Sequence, residues 1–369
     1  MSKIRRALGL MSGTSMDGID IALIETDGGT HVRRLGAASI AYPTDFRRRL
    51  RQALLDARTL RDRVDRPGCL AEVERELTER HAQAALHFLG DRMLQPSAID
   101  VIGFHGQTVL HKPDQGLTVQ LGDGALLARA TAIDVVYDMR AEDVAARGEG
   151  APLTPAYHRA LAAKLPQRPC AFLNIGGVAN VTWIGTDDAL IAFDTGPGNA
   201  MIDDLVLGAT GEARDEDGQL AAAGTVDERI VHAYLMHPHF AKPVPKSLDR
   251  NAFAPELVEG LSLEDAAATL TAFAVEAIVK AREHMPSEPA LWVICGGGRR
   301  NRTLMRMLAA RVENAVVPAE AVGLDGDTLE AEAWAYLAVR SLDGLALSWP
   351  GTTGVAAPTR GGLVAKSPG

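Results

Sequence analysis

Short apolar runs closed by small and polar residues alternate along this chain with longer segments whose apolar positions recur at helical spacing. Residues 7–11 and 21–24 read as strands on either side of a turn, and 31–40 gives a third after Asp27-Gly28-Gly29. Pro43 opens helical territory towards Leu55. Leu70, Val73, Leu77, Ala84, Ala85 and Phe88 keep one apolar stripe through a second helix. Strands are predicted at 99–104, 118–121 and 133–137. His105-Gly106-Gln107-Thr108 is a polar stop after the first of them, and a helix at 125–130 precedes the last. Residues 138–155, rich in Gly, Pro and charge, read as a crossing between domains, followed by a helix at 154–164. Strands at 170–173, 178–184 and 190–193 come next. A helix is predicted at 225–236, then an irregular loop at 237–246 that three prolines keep from regular structure. Ser262, with Asp265 three residues on, caps a helix running to 282. A strand at 291–295, a helix at 302–311, a strand at 314–317 and a helix at 327–339 complete the pattern, and the tail beyond 349 is expected to end mobile.

Each half thus opens strand, turn, strand, turn, strand and then passes into helices, a weak repeat of architecture. The expectation is an α/β protein with mixed sheets. Its first domain spans 1–140, its second 141–345, and a tail, 346–369, packs back on the first. Two such domains facing one another would set the loops 9–20 and 194–199 across one cleft.

Composition narrows the function. Of 369 residues, 47% are hydrophobic and 23% charged, the balance of a water-soluble globular protein. The formal net charge is −9 and basic residues form no block, which argues against nucleic acid as a partner. No stretch is long and apolar enough to span a membrane, so the chain is expected in the cytoplasm. Cys69, Cys170 and Cys295 are widely spaced and match neither a disulfide framework nor a zinc pattern; the last two are expected to pack as small hydrophobes.

The chemistry collects where strands end. In Gly9-Leu-Met-Ser-Gly-Thr-Ser-Met-Asp-Gly-Ile-Asp20, Gly13 and Gly18 leave room for close approach, Ser12, Thr14 and Ser15 offer hydroxyls, and Asp17 and Asp20 can share a divalent cation. A phosphate-and-metal cradle and a plain hydrogen-bonded turn are both open readings of this stretch. Gly-rich turns recur at Asp194–Asn199 and Gly296–Asn301, a pattern that favours a nucleotide over an apolar ligand. Neither the P-loop string nor the dinucleotide fingerprint occurs. Asp194 reads as a base at a strand end or as an N-cap or turn aspartate, the reading that spacing alone favours, and His105 as a base, a ligand contact or a satisfied turn histidine. Glu330, on a helix of alanines and aromatics, is either solvent-facing or presented into the cleft. His237 and His239 lack a third ligand for a metal.

These strings, in this order, resemble the anhydro-N-acetylmuramic acid kinases: Gly9–Asp20, Gly103-Phe-His-Gly-Gln-Thr108, Gly150-Ala-Pro-Leu153, Asn174-Ile-Gly-Gly177 and Phe193-Asp-Thr-Gly-Pro-Gly-Asn199. The resemblance runs nearly end to end. It implies the two-domain fold of the sugar kinase, Hsp70 and actin superfamily, a duplicated ribonuclease H-like arrangement with an interdomain cleft that closes over its substrates. It further implies ATP- and Mg²⁺-dependent conversion of 1,6-anhydro-N-acetylmuramic acid and water to N-acetylmuramic acid 6-phosphate in peptidoglycan recycling, by a homodimer. On this resemblance Asp194 is the catalytic base and Arg140 neutralises charge near the transferred group. Ser12, Gly13, Thr14, Ser15, Met16, Asp17, Gly18 and Ile19 hold the phosphates, with Asp17 and Asp20 towards Mg²⁺. Asn174, Gly176, Gly177, Gly296, Gly297 and Gly298 also contact ATP, the last three on its nucleoside side, while His105, Gln107, Thr108, Asp194 and Glu330 meet the sugar.

A simple sugar kinase or ATPase of the same superfamily, and a nucleotide-gated module of the Hsp70 or actin type, are the alternatives, and the product separates them. Arg147 departs from the family pattern, standing where a small residue is usual. It implies either a different turn or an arginine that reaches outward.

Overall fold

The computed structural model describes residues 3–13 and 15–368. It contains two units, Met1–Ala163 with Thr328–Gly369, and Lys164–Asp327. In the first, β1 (Arg5–Met11), β2 (Gly18–Thr26) and β3 (Val32–Ala41) form an antiparallel meander. β4 (Val101–Phe104) joins β1 in parallel. β5 (Gln107–Lys112) and β6 (Leu117–Leu121) form a separate hairpin, and β7 (Val135–Tyr137) lies parallel to β4. In the second unit β8 (Cys170–Ile175), β9 (Val178–Ile184) and β10 (Leu190–Pro197) repeat the meander, and β11 (Leu291–Cys295) and β12 (Ala315–Pro318) extend it in parallel from β8. The order β10-β9-β8-β11-β12 therefore reproduces β3-β2-β1-β4-β7, and the architectural repeat read from the sequence is present strand for strand. β13 (Leu363–Ala365) adds itself antiparallel to the outer edge of β7.

The central strands of the first sheet are covered on both faces, as parallel strands are. Alternation along β1 and β4 sorts the side chains by size. Leu8, Leu10, Ile102 and Phe104 join one core with Leu70, Val73, Leu77, Ala85 and Phe88 of the helix Leu70–Asp91. The opposite face carries Gly9 and Gly103, paired in register. On them lies the Ala-rich helix Leu329–Leu342. A Cβ at Gly9 would fall 1.8 Å from the Ala331 carbonyl oxygen, and one at Gly103 2.0 Å from that of Trp334. Helix backbone thus rests directly on strand backbone. In the second unit Trp183, Phe193, Ile278, Trp292, Leu304 and Leu308 build one core, with a satellite around Phe240, Phe253 and Phe273. Cys170 and Cys295 are buried, and the described cysteines form no disulfide.

Four sequence expectations change. The stop after residue 104 is brief, because Gln107–Lys112 is itself a strand. The crossing placed at 138–155 belongs to the first unit, since the chain passes to the second at 163/164 and returns at 327/328. Buried Asp143 explains this: it accepts from the Gly150 amide at 2.6 Å and from the hydroxyls of Ser348 and Thr353, tying the segment to the returning chain. The helix assigned to the second domain, Leu329–Leu342, packs on β1, β2 and β4. The tail is also held, by β13 and by the Ser367 amide on Asp134 at 3.0 Å.

Arg147 resolves simply. It has φ 65° and an exposed side chain, so the turn keeps the left-handed conformation and the arginine points outward. A residue with Cβ is strained there by about 1 kcal/mol or more, partly offset by the greater unfolded-state freedom of glycine. Arg147→Gly is expected to raise Tm by roughly 1–3 °C with turnover unchanged. Calorimetry showing a lower Tm would contradict this account of the turn.

Candidate active site

The turn between β1 and β2 is braced from below. Ser12 is fully buried. Its Oγ donates to Gln107 Oε1 at 2.8 Å and lies 2.9 Å from the Tyr42 hydroxyl, while Gln107 Nε2 donates to the Gly13 carbonyl at 3.1 Å. Ser12 and Gln107 therefore hold the turn's shape with groups already in use. Ser15 Oγ donates to Asp17 Oδ1 at 2.7 Å at the exposed tip, and Met16 takes φ 53°. Asp20 accepts from Ser39 Oγ at 2.5 Å. Ile19 is in the core. Thr14 lies outside the described residues. The two glycines differ: a Cβ at Gly18 would strike the Ile40 carbonyl at 2.4 Å, so Gly18 serves strand pairing, whereas at Gly13 the nearest atom would be Ser15 Oγ at 3.5 Å. Gly13 faces space that a ligand can enter.

His105 sits at the end of β4, 5% exposed. Its Nδ1 lies 3.1 Å from the Ser12 carbonyl, which fixes the proton on Nδ1 and leaves Nε2 to accept from Arg140 at 3.2 Å. Burial, with the Arg140 charge second, drives its pKa well below the ordinary value, so the ring is neutral. Both nitrogens are engaged, which favours a bracing role over a base. Arg140 also donates to the Gly150 carbonyl at 2.9 Å, and its guanidinium stands 5.1 Å from the Trp334 ring centroid. Burial lowers its pKa to about 10, which leaves it charged at neutral pH. Thr108, on β5, accepts from Gln120 Nε2 at 3.3 Å.

Glu330, in the first turn of the helix Leu329–Leu342, keeps solvent access. Its carboxyl pKa is nonetheless raised, by burial first, with Arg140 opposing and Asp20 reinforcing. His105, Arg140, Trp334 and Glu330 therefore form one cluster in the first unit, placed by the helix that Gly9 and Gly103 admit.

In the second unit three strand ends converge. Gly198 N donates to the Gly177 carbonyl at 2.9 Å, and Asn199 N to that of Gly176 at 2.8 Å. Asn174, near the end of β8, pairs with Cys295 of β11, and a Cβ on Gly296 (φ 72°) would meet Asn174 Oδ1 at 2.3 Å. Gly298 would likewise meet Ile175 at 2.3 Å. Gly176, Gly177 and Gly297 have no atom closer than 3.5 Å to an added Cβ. Those three border open space, while Gly296 and Gly298 are glycines for internal packing. A cavity of 170 Å³ lined by Asn199, Asp203, Arg214, Gly297, Arg300 and other polar residues opens beside them. Burial and the neighbouring Asp204 push Asp203 up to about 6.

Asp194 borders the bulge of β10, where the register with β9 shifts between Asp194 and Gly196. Its Oδ2 accepts from the Leu248 amide at 2.8 Å, its N donates to the Lys246 carbonyl at 2.9 Å, and its own carbonyl contacts His239 Nε2 at 3.0 Å. Nothing in the sequence gives Lys246, at the end of the loop 237–246, or Leu248 beyond it a part in the site. The prolines at 238, 243 and 245 marked an ordered loop but not what it holds. The loop histidine is engaged by backbone, and among the described residues no group of three or more His, Cys, Asp or Glu is arranged to hold a metal.

Gly176, Gly177 and Gly297 leave room for the close approach of a phosphate, while the Gly198, Asn199 and Ala200 amides at the start of the helix Ala200–Thr210 already donate to the Gly176 and Gly177 carbonyls. Asp17 and Asp20 are too few to enclose Mg²⁺, which fits an ion that takes most of its oxygens from phosphate and water.

The sequence matches the family model described as anhydro-N-acetylmuramic acid kinase over residues 5–366. It is 53% identical over 368 residues to the anhydro-N-acetylmuramic acid kinase of Rhizobium etli, covering 99% of this chain and 100% of that protein. It is 52% identical over 370 residues to the Brucella canis protein of the same name, covering 98% and 99% respectively. The Agrobacterium fabrum protein of that name is 49% identical, with both chains covered in full. With both units inside these matches, the chain belongs to the anhydro-N-acetylmuramic acid kinase family.

Proposed function

We infer that this protein uses ATP and Mg²⁺ to phosphorylate anhydro-N-acetylmuramic acid, a reaction of peptidoglycan recycling. The observation that carries the reading is a family match that runs through both units at about half identity. The attacking water adds its oxygen to C1, the C1–O6 bond breaks, and O6 takes the γ-phosphoryl group as ADP departs. Asp194 accepts the proton of that water on its carboxylate, which the Leu248 amide orients through Oδ2. In the first unit Glu330 and Thr108 meet the sugar, with His105 and Gln107 bracing the surface from behind. Arg140, charged and held by His105 and Gly150, stabilises negative charge as it develops on the phosphoryl oxygens. Gly13, Ser15 and Asp17 meet the phosphates, and Gly176, Gly177 and Gly297 line the nucleotide side. Asp17 and Asp20 would hold Mg²⁺ through its oxygen shell, and the ion supplies charge neutralisation on the phosphates when bound.

Among the described residues no helix is long and apolar enough to cross a membrane. ATP is a cytoplasmic reagent, which supports a cytoplasmic location for the reaction. A homodimer is the assembly that the family resemblance favours, and light scattering on the purified protein tests it. The activity is tested by incubation with ATP, Mg²⁺ and anhydro-N-acetylmuramic acid in heavy-oxygen water. The expected sugar carries the label at C1 and phosphate on O6. A phosphorylated sugar with its anhydro bridge intact would make this a simple sugar kinase, and ADP without any sugar product an ATPase.

A further inference from the structure

We propose that Lys246 is a positioning residue for Asp194, its buried ammonium locking the loop that brackets the carboxylate. Lys246 is 8% exposed. Its Nζ has three hydrogen-bond partners, all neutral: the His239 carbonyl at 3.1 Å, the Phe240 carbonyl at 3.5 Å and His284 Nε2 at 3.1 Å. The ammonium also stands 5.7 Å from the ring centroid of Phe193, the residue preceding Asp194. An ammonium has three protons, so each is spent on closing the loop onto itself and onto the adjoining helical turn.

The loop so closed touches Asp194 in three places. His239, whose carbonyl Lys246 clasps, contacts the Asp194 carbonyl through Nε2. Lys246 takes the Asp194 amide proton on its own carbonyl. Leu248, two residues on, donates to Asp194 Oδ2. Two of these contacts fix the backbone at the bulge, and the third fixes the rotation of the carboxylate. A buried cation without a bonded carboxylate is costly to keep. Here its return is a carboxylate aimed in one direction.

The inference rests on Asp194 being the base. Lys246→Met keeps length and removes the donors. The expected result is a kcat lowered roughly 10- to 100-fold by misplacement of the base, with KM for ATP and for the sugar within about threefold of the parent. In an Asp194→Asn background, Lys246→Met should give no further loss, because the group it positions is gone. His239→Leu should lower kcat in the same way, and His239→Gln, which keeps a side-chain N–H, should recover part of it. The proposal fails if Lys246→Met leaves kcat within about threefold, or if its full factor is lost again beside Asp194→Asn. Should Lys246→Met not fold, equal kcat for His239→Leu and His239→Gln overturns it. Undiminished turnover by Asp194→Asn alone would instead reject the base assignment, whatever Lys246 does.

Discussion

Asp194→Asn is expected to lower sugar conversion by about 10²- to 10⁴-fold, the usual contribution of a general base, while ATP binds as before. The substitution is chosen for what it preserves. An amide oxygen still accepts from Leu248 N, and the backbone contacts to Lys246 and His239 do not involve the side chain. The loop and the bulge should keep their places, and only proton acceptance is lost. Product mass analysis measures the chemistry and titration calorimetry the nucleotide affinity. Retained turnover would transfer the proton to another group. Lost ATP affinity would mean that Asp194 acts in binding rather than in the chemical step.

The second large effect lies away from any reacting atom. Gly9→Ala and Gly103→Ala should each destabilise the first unit by about 2–4 kcal/mol, because the added methyl meets the unyielding backbone of a helix. The contact would be 1.8 Å at Gly9 and 2.0 Å at Gly103. Relief requires Leu329–Leu342 to lift from the sheet. That displaces Trp334, whose ring centroid is 4.5 Å from that of His105, and with it Glu330. Activity should therefore fall in whatever fraction stays folded. Gly208→Ala is the control: in the helix Ala200–Thr210 an added Cβ there meets nothing within 4 Å. It should stabilise by about 0.5–1 kcal/mol through helix propensity alone. Denaturant titration of the three variants reads both signs. A Gly103→Ala protein as stable as its parent would show that the helix does not bear on the strand as described.

Much of this arrangement is legible in the chain. Strands announce themselves as short apolar runs, and the strand order that the two meanders share follows from where they fall. Asp194 and the glycine turns are conspicuous because small and acidic residues interrupt buried strands. What spacing does not carry is the identity of the neighbour. A glycine states that a Cβ is unwelcome, not whether protein or ligand occupies the place. Thus Gly18 and Gly296 look like Gly13 and Gly297 in the sequence and differ wholly in three dimensions. The unit boundary was hidden for a related reason. The helix Leu329–Leu342 is alanine-rich and would suit either sheet, and only the glycine pair on β1 and β4 selects its partner. Lys246 was invisible because a lysine in a proline-broken loop is ordinarily a solvated one.

The first sheet receives one of its covering helices from residues made long after the strands β1 to β4 and β7 that it covers or adjoins. On the ribosome β1 to β7 emerge first, with the glycine face bare, and residues 164–327 must be synthesised before the helix Leu329–Leu342 arrives to cover it. The second unit, contiguous in the chain, can complete its fold in that interval. The order of maturation is then the reverse of the order of synthesis, and the nascent first unit is the span that chaperones have most reason to shield.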